Sequence, residues 1–451
     1  MDFKDKKVIV LGSGISGISV AQVLHHQGAH VTLSDSSPLE KLKKDPTFLQ
    51  ELGIKLAIGN QEEALLDDVD FVVISPGVSI YIPFVAAAQK RQIPVLSEVE
   101  IAYQLCPAPI LAITGTNGKT TTTTLIGEML KKHKQEVVVG GNIGQALSAE
   151  VEGISKEGLV VAEISSFQME AAKDFKPHIA AILNVTPDHI DRHKTMDNYI
   201  AMKEKLFANQ SDKDFLVLNY DDPIVRKMAD KAKGQVCFFS RKEILSQGIY
   251  VKNNQMHISW QGQELQFCSL SVLKIPGAHN VENVLAATAV SYLAGVSIGD
   301  IVDVLESFEG VEHRIEPVVT IQGVPYYNDS KATNPESSIK ALEAFDGHII
   351  LLAGGRDKNT DLTEFMTLIK EKVEHLILLG EAKDRFKAAA VAQGISSIHE
   401  AGSFAEAVDL AHKIARPPHI VLLSPACASY DMFKSYEERG RVFKELVRSK
   451  Q

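Results

Sequence analysis

The run Gly115-Thr116-Asn117-Gly118-Lys119-Thr120 follows the apolar stretch Ile110–Ile113. Amide groups in such a turn can cradle phosphate oxygens, a lysine ammonium can offset charge developing on a γ-phosphate, and a threonine hydroxyl can reach magnesium. ATP is the natural ligand. Isoleucine stands at 113, where the general nucleotide loop carries its first glycine, so this is a shortened variant. Thr120, Thr121 and the three threonines after them open a helix although each is worse in a helix than alanine by a few tenths of a kcal/mol. Hydroxyl chemistry, not helicity, selects them. Glu163 ends the apolar run Leu159–Ala162, and an acid at a strand's carboxyl end, on the edge that carries a phosphate loop, is where a magnesium ligand belongs. His189, in Asn184-Val185-Thr186-Pro187-Asp188-His189, falls on the same edge after the next strand. Lys203, within Tyr199–Phe207, reads on its own as a solvated surface lysine.

A second glycine-rich turn, Gly12-Ser13-Gly14-Ile15-Ser16-Gly17, lies between a strand and an apolar-periodic helix, and Asp35 closes the following strand. Glycines here admit a pyrophosphate to a helix N-terminus, and the acid can accept a ribose or base hydrogen bond. NAD and a UDP-sugar present the same diphosphate. An NAD-dependent oxidoreductase would leave Gly115–Thr120 unexplained. In the last third of the chain, polar clusters follow successive apolar strands: Glu312–Glu316, Asn328–Asn334, Gly354–Lys358 and Ser424–Phe433. Their lysines, arginine and hydroxyls suit a small substrate with several carboxylates.

Short β-branched runs alternating with longer amphipathic stretches predict an α/β chain with parallel sheets. Strands are expected at Val8–Leu11, His30–Leu33, Lys55–Ile58, Phe71–Ile74 and Pro94–Leu96. A second series follows at Ile110–Thr114, Glu136–Val139, Leu159–Ala162, Ile179–Leu183 and Phe215–Leu218. A third lies near Tyr326, His348–Leu352, His375–Leu379 and His419–Leu423. Residues Gly248–Leu273 alternate polar and apolar, as in a small antiparallel appendage, and a helix is expected at Asn280–Ala294. At roughly 150 residues per domain, 451 residues suggest about three. The expected fold has a Rossmann-like domain over 1–97, a P-loop NTPase-like central parallel sheet with the antiparallel appendage over 98–310, and a Rossmann-like domain over 311–451.

A hydrophobic fraction of 45% and a charged fraction of 23% exclude a disordered chain. With 47 Lys and Arg against 57 Asp and Glu, the global field disfavours nucleic acid and anionic membranes, so anionic ligands need local cationic pockets. The charged start and the short run Val8–Leu11 fit neither a signal peptide nor a membrane span, and a soluble cytoplasmic protein is expected. The four cysteines, Cys106, Cys237, Cys268 and Cys427, show no paired spacing and read as small buried hydrophobes.

Taken together, Gly115–Thr120, Glu163–Gln168, Asn184–His189, Gly277–Asn283, Asn328–Asn334 and Leu423–Phe433 resemble the Mur ligases, the ATP-dependent amino-acid ligases of peptidoglycan synthesis. The likeness covers essentially the whole chain and is strongest to the members that join D-glutamate to UDP-N-acetylmuramoyl-L-alanine. It implies ATP and Mg²⁺ as cofactors, those two small molecules as substrates, and a monomer. Gly14, Ile15, Ser16, Asp35, Ser36, Ser75, Gly77, Asn142, Ser165 and Gln168 are similar to a UDP-substrate pocket. Gly115–Thr121 resemble the triphosphate loop, with Lys119 on the γ-phosphate. Asn280 and Asn283 resemble adenine contacts, and Arg314 and Asp329 resemble residues on the phosphates and ribose. Thr120, Glu163, His189 and Lys203 are similar to the metal-holding group, Lys203 as the lysine that the family carboxylates to a carbamate with CO₂. Lys331, Thr333, Lys358, Ser429 and Tyr436 resemble a D-glutamate pocket.

Overall fold

The computed structural model describes residues 1–42, 44–59, 61–357 and 359–451. They fall into two compact units, Met1–Leu270 with Glu282–Leu305, and Ser271–Val281 with Glu306–Gln451. The first unit holds two sheets and the second holds one.

The first sheet contains β1 (Lys7–Leu11), β2 (His30–Asp35), β3 (Lys55–Ile58), β4 (Phe71–Ile74) and β5 (Val95–Ser97), all parallel in the order β3-β2-β1-β4-β5. The chain steps outward from β1 on one side and restarts with β4 on the other, which opens a crevice at the carboxyl ends of these two strands. Gly12–Ser16, Asp35 and Ser75 all leave strands at that edge. Gly17 lets the helix Ile15–His26 start hard against β1, since a Cβ there would lie 1.8 Å from the Gly12 carbonyl oxygen.

The second sheet comprises β6 (Ile110–Thr114), β7 (Val137–Gly141), β8 (Leu159–Glu163), β9 (Ile179–Ile182), β10 (Phe215–Asn219), β11 (Gln235–Ser240), β12 (Gly248–Lys252), β13 (Gln255–Trp260) and β14 (Gln263–Ser269). Their order is β14-β13-β12-β11-β10-β9-β6-β8-β7. Pairing is parallel as far as β12, and β12–β13–β14 are antiparallel. The antiparallel segment expected over Gly248–Leu273 is present, and β11, a strand not expected from the sequence, pairs in parallel with β12 and joins the hairpins to the sheet.

The second unit carries β15 (Glu316–Ile321), β16 (Val324–Asn328), β17 (Ile349–Gly354), β18 (Val373–Leu379), β19 (Ile398–Glu400) and β20 (Ile420–Leu423), ordered β15-β16-β20-β17-β18-β19. Only β15–β16 is antiparallel. All six residues of β17 are buried. Ile349, Leu351 and Ala353 face a core with Leu342, Phe365 and Phe386, while Ile350 and Leu352 face one with Val408, Phe443 and Val447. Helices thus cover both faces, which is why this strand reads as continuous apolar sequence. Among the described residues no helix is long and apolar enough to cross a membrane.

Candidate active site

Strand register assembles the phosphate loop and its neighbours. In the central sheet Ile113 of β6 stands beside Glu163 of β8 and Thr114 beside Ile182 of β9, so the segments leaving these strands share one edge. Gly118 has a φ of 83°, a left-handed value open to glycine, and it caps the helix Lys119–His133. A Cβ there would meet the Asn283 Oδ1 at 2.1 Å, so the loop lies hard against that asparagine. Lys119 Nζ donates to the carbonyls of Gly115 at 2.9 Å and Thr116 at 2.8 Å, which curls its ammonium back over the loop. Thr120 and Thr121 are buried at the first turn.

Asn184, which the sequence offers only as the start of the stretch Asn184–His189, locks this loop to the next. Its Oδ1 accepts from Asn117 N at 2.8 Å, its Nδ2 donates to Asn117 O at 3.1 Å, and its carbonyl accepts from Thr116 N at 3.0 Å. The Thr116 hydroxyl lies 3.1 Å from the Tyr199 hydroxyl and accepts from Thr186 N at 3.1 Å. Tyr199 and Lys203 are one turn apart on the helix Met196–Glu204 and share its buried face. Lys203 is buried with Nζ 4.5 Å from the centre of the Tyr199 ring. Burial holds its pKa well below the usual lysine value, the Lys119 charge lowers it further, and Asp188 opposes both. The solvated-lysine reading is thereby overturned: this side chain sits in the interior, beside the phosphate loop's own cation.

Glu163 is 2% exposed. Its Oε1 accepts from Asn142 Nδ2 at 2.8 Å, while Oε2 is buried with no hydrogen-bond partner among the described residues. An ionised oxygen left so is costly unless a cation meets it, and together with the Thr120 hydroxyl it makes a hard, oxygen-rich donor set that fits Mg²⁺. His189 has a left-handed backbone with φ of 55°, and its half-exposed ring packs 4.6 Å from that of Phe167.

A cavity of about 1060 Å³ opens at the carboxyl edge of the first sheet, lined by Gly14, Ile15, Ser16, Asp35, Ser36, Ser75, Gly77, Asn142 and Gln168 among others. Ser165 is not in its wall; its amide and hydroxyl donate to Gln168 Oε1 at 2.8 and 3.0 Å and so set the glutamine's orientation. Asp35 is already engaged by the protein: Oδ2 accepts from Ser13 N and Oγ at 2.9 and 2.7 Å, and Oδ1 from Ser37 N at 2.9 Å. These bonds hold its pKa below the usual aspartate value against the opposing effect of burial.

In the second unit, parallel pairing of β16 with β20 and of β20 with β17 brings together the loops 329–334, 424–429 and 354–357. Asp329 accepts from Ser424 Oγ at 2.7 Å and Ile315 N at 3.3 Å; burial pushes its carboxyl up to about 7, although Arg314 pulls it down. Lys331 Nζ lies 5.7 Å from the centre of the Tyr436 ring, Ser429 is buried, and Thr333 is half-buried on the loop after β16. Asn280 donates to Pro276 O at 2.7 Å. Lys358 lies outside the described residues. The residue missed here is Arg439, 1% exposed, which donates to Ser330 Oγ at 2.9 Å, Ser330 O at 2.8 Å and Cys427 O at 3.1 Å. Its signal was positional: Arg439, Phe443 and Val447 recur at helical spacing on one buried face.

Three family models match in succession: Mur ligase MurD-like, N-terminal domain over residues 6–97, Mur ligase middle domain over 113–291, and Mur ligase, glutamate ligase domain over 313–427. Among curated relatives, the UDP-N-acetylmuramoylalanine--D-glutamate ligase of Pelotomaculum thermopropionicum is 46% identical over 99% of this chain and 98% of its own. The protein of that name from Clostridioides difficile is 42% identical over 99% of each. Among solved structures, UDP-N-acetylmuramate-alanine ligase from Thermotoga maritima aligns with a TM-score of 0.61 at 20% identity, covering 99% of this chain and 100% of its own. A pseudomurein peptide ligase type C from Methanothermus fervidus gives 0.60 at 19%, with the same coverage. These two likenesses concern the fold. Near-complete alignment to the curated relatives, at an identity far above what shared architecture alone requires, means that this chain belongs to the Mur ligase family.

Proposed function

We propose that the protein joins D-glutamate to UDP-N-acetylmuramoyl-L-alanine at the expense of ATP, releasing ADP and phosphate, as a step in peptidoglycan precursor synthesis. The observation that carries the reading is the shared sheet edge on which the loop Gly115–Thr120 and Glu163 stand, with the buried Lys203 on the helix that Tyr199 ties to that loop, all in the same unit as the 1060 Å³ cavity. The names of the curated relatives supply the amino acid and the sugar nucleotide.

A carboxylate resists an incoming amine because resonance and charge both oppose attack, so amide formation must activate it first. In this reading a terminal carboxylate oxygen of the sugar nucleotide attacks the γ-phosphorus of ATP, the bond to the bridging oxygen breaks, and an acyl phosphate and ADP result. Lys119 and the loop amides stabilise the transferring phosphoryl group with charges and dipoles already in place. The D-glutamate nitrogen then adds to the acyl carbon, loses a proton, and the tetrahedral adduct expels phosphate. Mg²⁺, when bound, neutralises phosphate charge, and Thr120 and Glu163 with His189 and Lys203 are the residues that would hold it. Lys203 is suited to carry a carbamate: burial that lowers an amine's pKa favours the neutral form, the one nucleophilic toward CO₂, and the reaction releases a proton and leaves an anionic head.

Residues 1–97 carry the UDP end in this reading, residues 98–310 ATP, and residues 311–451 the amino acid, through Lys331, Thr333, Lys358, Ser429 and Tyr436. Arg314, Asp329, Asn280 and Asn283 serve the nucleotide. Phosphate release is the test. Purified protein with Mg²⁺, ATP and UDP-N-acetylmuramoyl-L-alanine is expected to release phosphate on adding D-glutamate, and not L-alanine or a diamino acid. Equal release with any amino acid defeats the assignment.

A further inference from the structure

Three loops meet at one guanidinium. Arg192 belongs to the short helix Ile190–His193, directly after His189. Its Nε and Nη2 donate to the two oxygens of Glu170 at 2.9 and 2.6 Å. Nη1 and Nη2 also donate to the carbonyls of Pro76 at 2.8 Å and Val78 at 2.9 Å. The plane lies over Phe167, with Cζ 4.2 Å from the ring centre, and that ring also packs 4.6 Å from His189. Pro76 and Val78 flank Gly77 in the wall of the large cavity, and Gln168, between Phe167 and Glu170, lines it too.

As a stabiliser such a group is a poor choice. The Glu170 carboxylate is 2% exposed and the Arg192 side chain 15%, so both lose hydration that apolar packing would not forfeit. What the guanidinium offers is a planar fork whose donors are fixed relative to one another, and here it spans the turn after β4, the loop after β8 and the helix after β9. A lysine, with one point charge, cannot hold a carboxylate and two carbonyls in that arrangement.

We infer that Arg192 is a positioning residue that fixes His189 relative to the turn Ser75–Val78, so that the place of the sugar nucleotide and that of the phosphate site are set together. The inference rests on the ligase reading given above. It is tested by steady-state kinetics of the whole protein as Arg192→Lys and Phe167→Leu, with melting temperature as control. Arg192→Lys is expected to lower kcat by about 10- to 100-fold, the scale of a misplaced reacting group, and to raise both the Mg²⁺ half-saturation and the KM for the sugar nucleotide severalfold. Phe167→Leu leaves the hydrogen bonds of the fork in place and removes the ring that lies under Arg192 and against His189 and His193; it should raise the Mg²⁺ half-saturation and leave the sugar-nucleotide KM unchanged. Wild-type Mg²⁺ dependence in both variants overturns the inference, as does a loss of activity that merely follows a lowered melting temperature. If Arg192→Lys does not fold, Glu170→Gln, which weakens the carboxylate arm of the fork and keeps its two carbonyl contacts, is measured in its place with the same expected rise in Mg²⁺ half-saturation and sugar-nucleotide KM. Absence of phosphate release by the wild type overturns the ligase reading, whereas normal wild-type turnover with unaltered variants overturns only the role of Arg192.

Discussion

Lys119 and Lys203 are the same residue type in opposite settings. Lys119 keeps its ammonium on loop carbonyls, and if it meets the γ-phosphate as proposed, Lys119→Ala should cut phosphoryl transfer by about 10²- to 10³-fold, the cost of one preorganised donor. Binding of the sugar nucleotide, measured by calorimetry, should survive. Lys203→Ala should lose most activity and regain part of it with bicarbonate and a short carboxylic acid; full activity without them would refute a carbamate role. Asp329 gives a pH signature. Its carboxyl is raised from 3.8 to about 7, so between those values the folded unit binds protons that the unfolded chain has released. The stability contribution is therefore present at low pH and is lost as pH rises through about 7. Asp329→Asn should flatten that part of the stability profile in chemical denaturation. At this scale the phosphate loop and Glu163 were legible because their chemistry is written in adjacent residues. Lys203 was not legible from its residue type, since nothing local distinguishes a buried lysine from an exposed one; only the likeness to a family singled it out.

Elements place these groups, and their short connections carry the constraint. Gly118→Ala would add a left-handed strain of about 1–2 kcal/mol and push on Asn283. Weaker ATP turnover with sugar-nucleotide affinity retained is the expected result. In the second unit, Arg439→Met would strand the Ser330 and Cys427 carbonyls, a loss on the order of 3 kcal/mol readable in urea unfolding. The buried parallel strands were predicted well because burial on both faces leaves an unbroken apolar run. Edge strands β15 and β19 were missed: Glu316–Thr320 presents only intermediate and exposed positions before the buried Ile321, with a bulge at Pro317–Val319, and Ile398–Glu400 is three residues long. β11 was overlooked although Val236–Phe239 is itself an apolar, β-prone run, and it is this strand that joins the hairpins after it to the sheet.

For the molecule as a whole, the structure falls into two compact units, and the proposed sugar-nucleotide and glutamate sites each take their residues from one of them. The large cavity lies wholly within the first unit. A sugar nucleotide at 100 times its Kd should therefore stabilise that unit by about 2.7 kcal/mol through mass action alone, as a shift of its melting transition. Glutamate at similar saturation should act on the second. The chain carries one tryptophan, Trp260, at the end of β13 and 6.4 Å from the ring of Phe215, the first residue of β10. That places the sole indole at the starting edge of β10, opposite the carboxyl edge that β6 gives to the phosphate loop, so its emission should report scaffold collapse and not nucleotide arrival. One optical channel can thus follow denaturation of the larger unit through a titration without confusing it with occupancy.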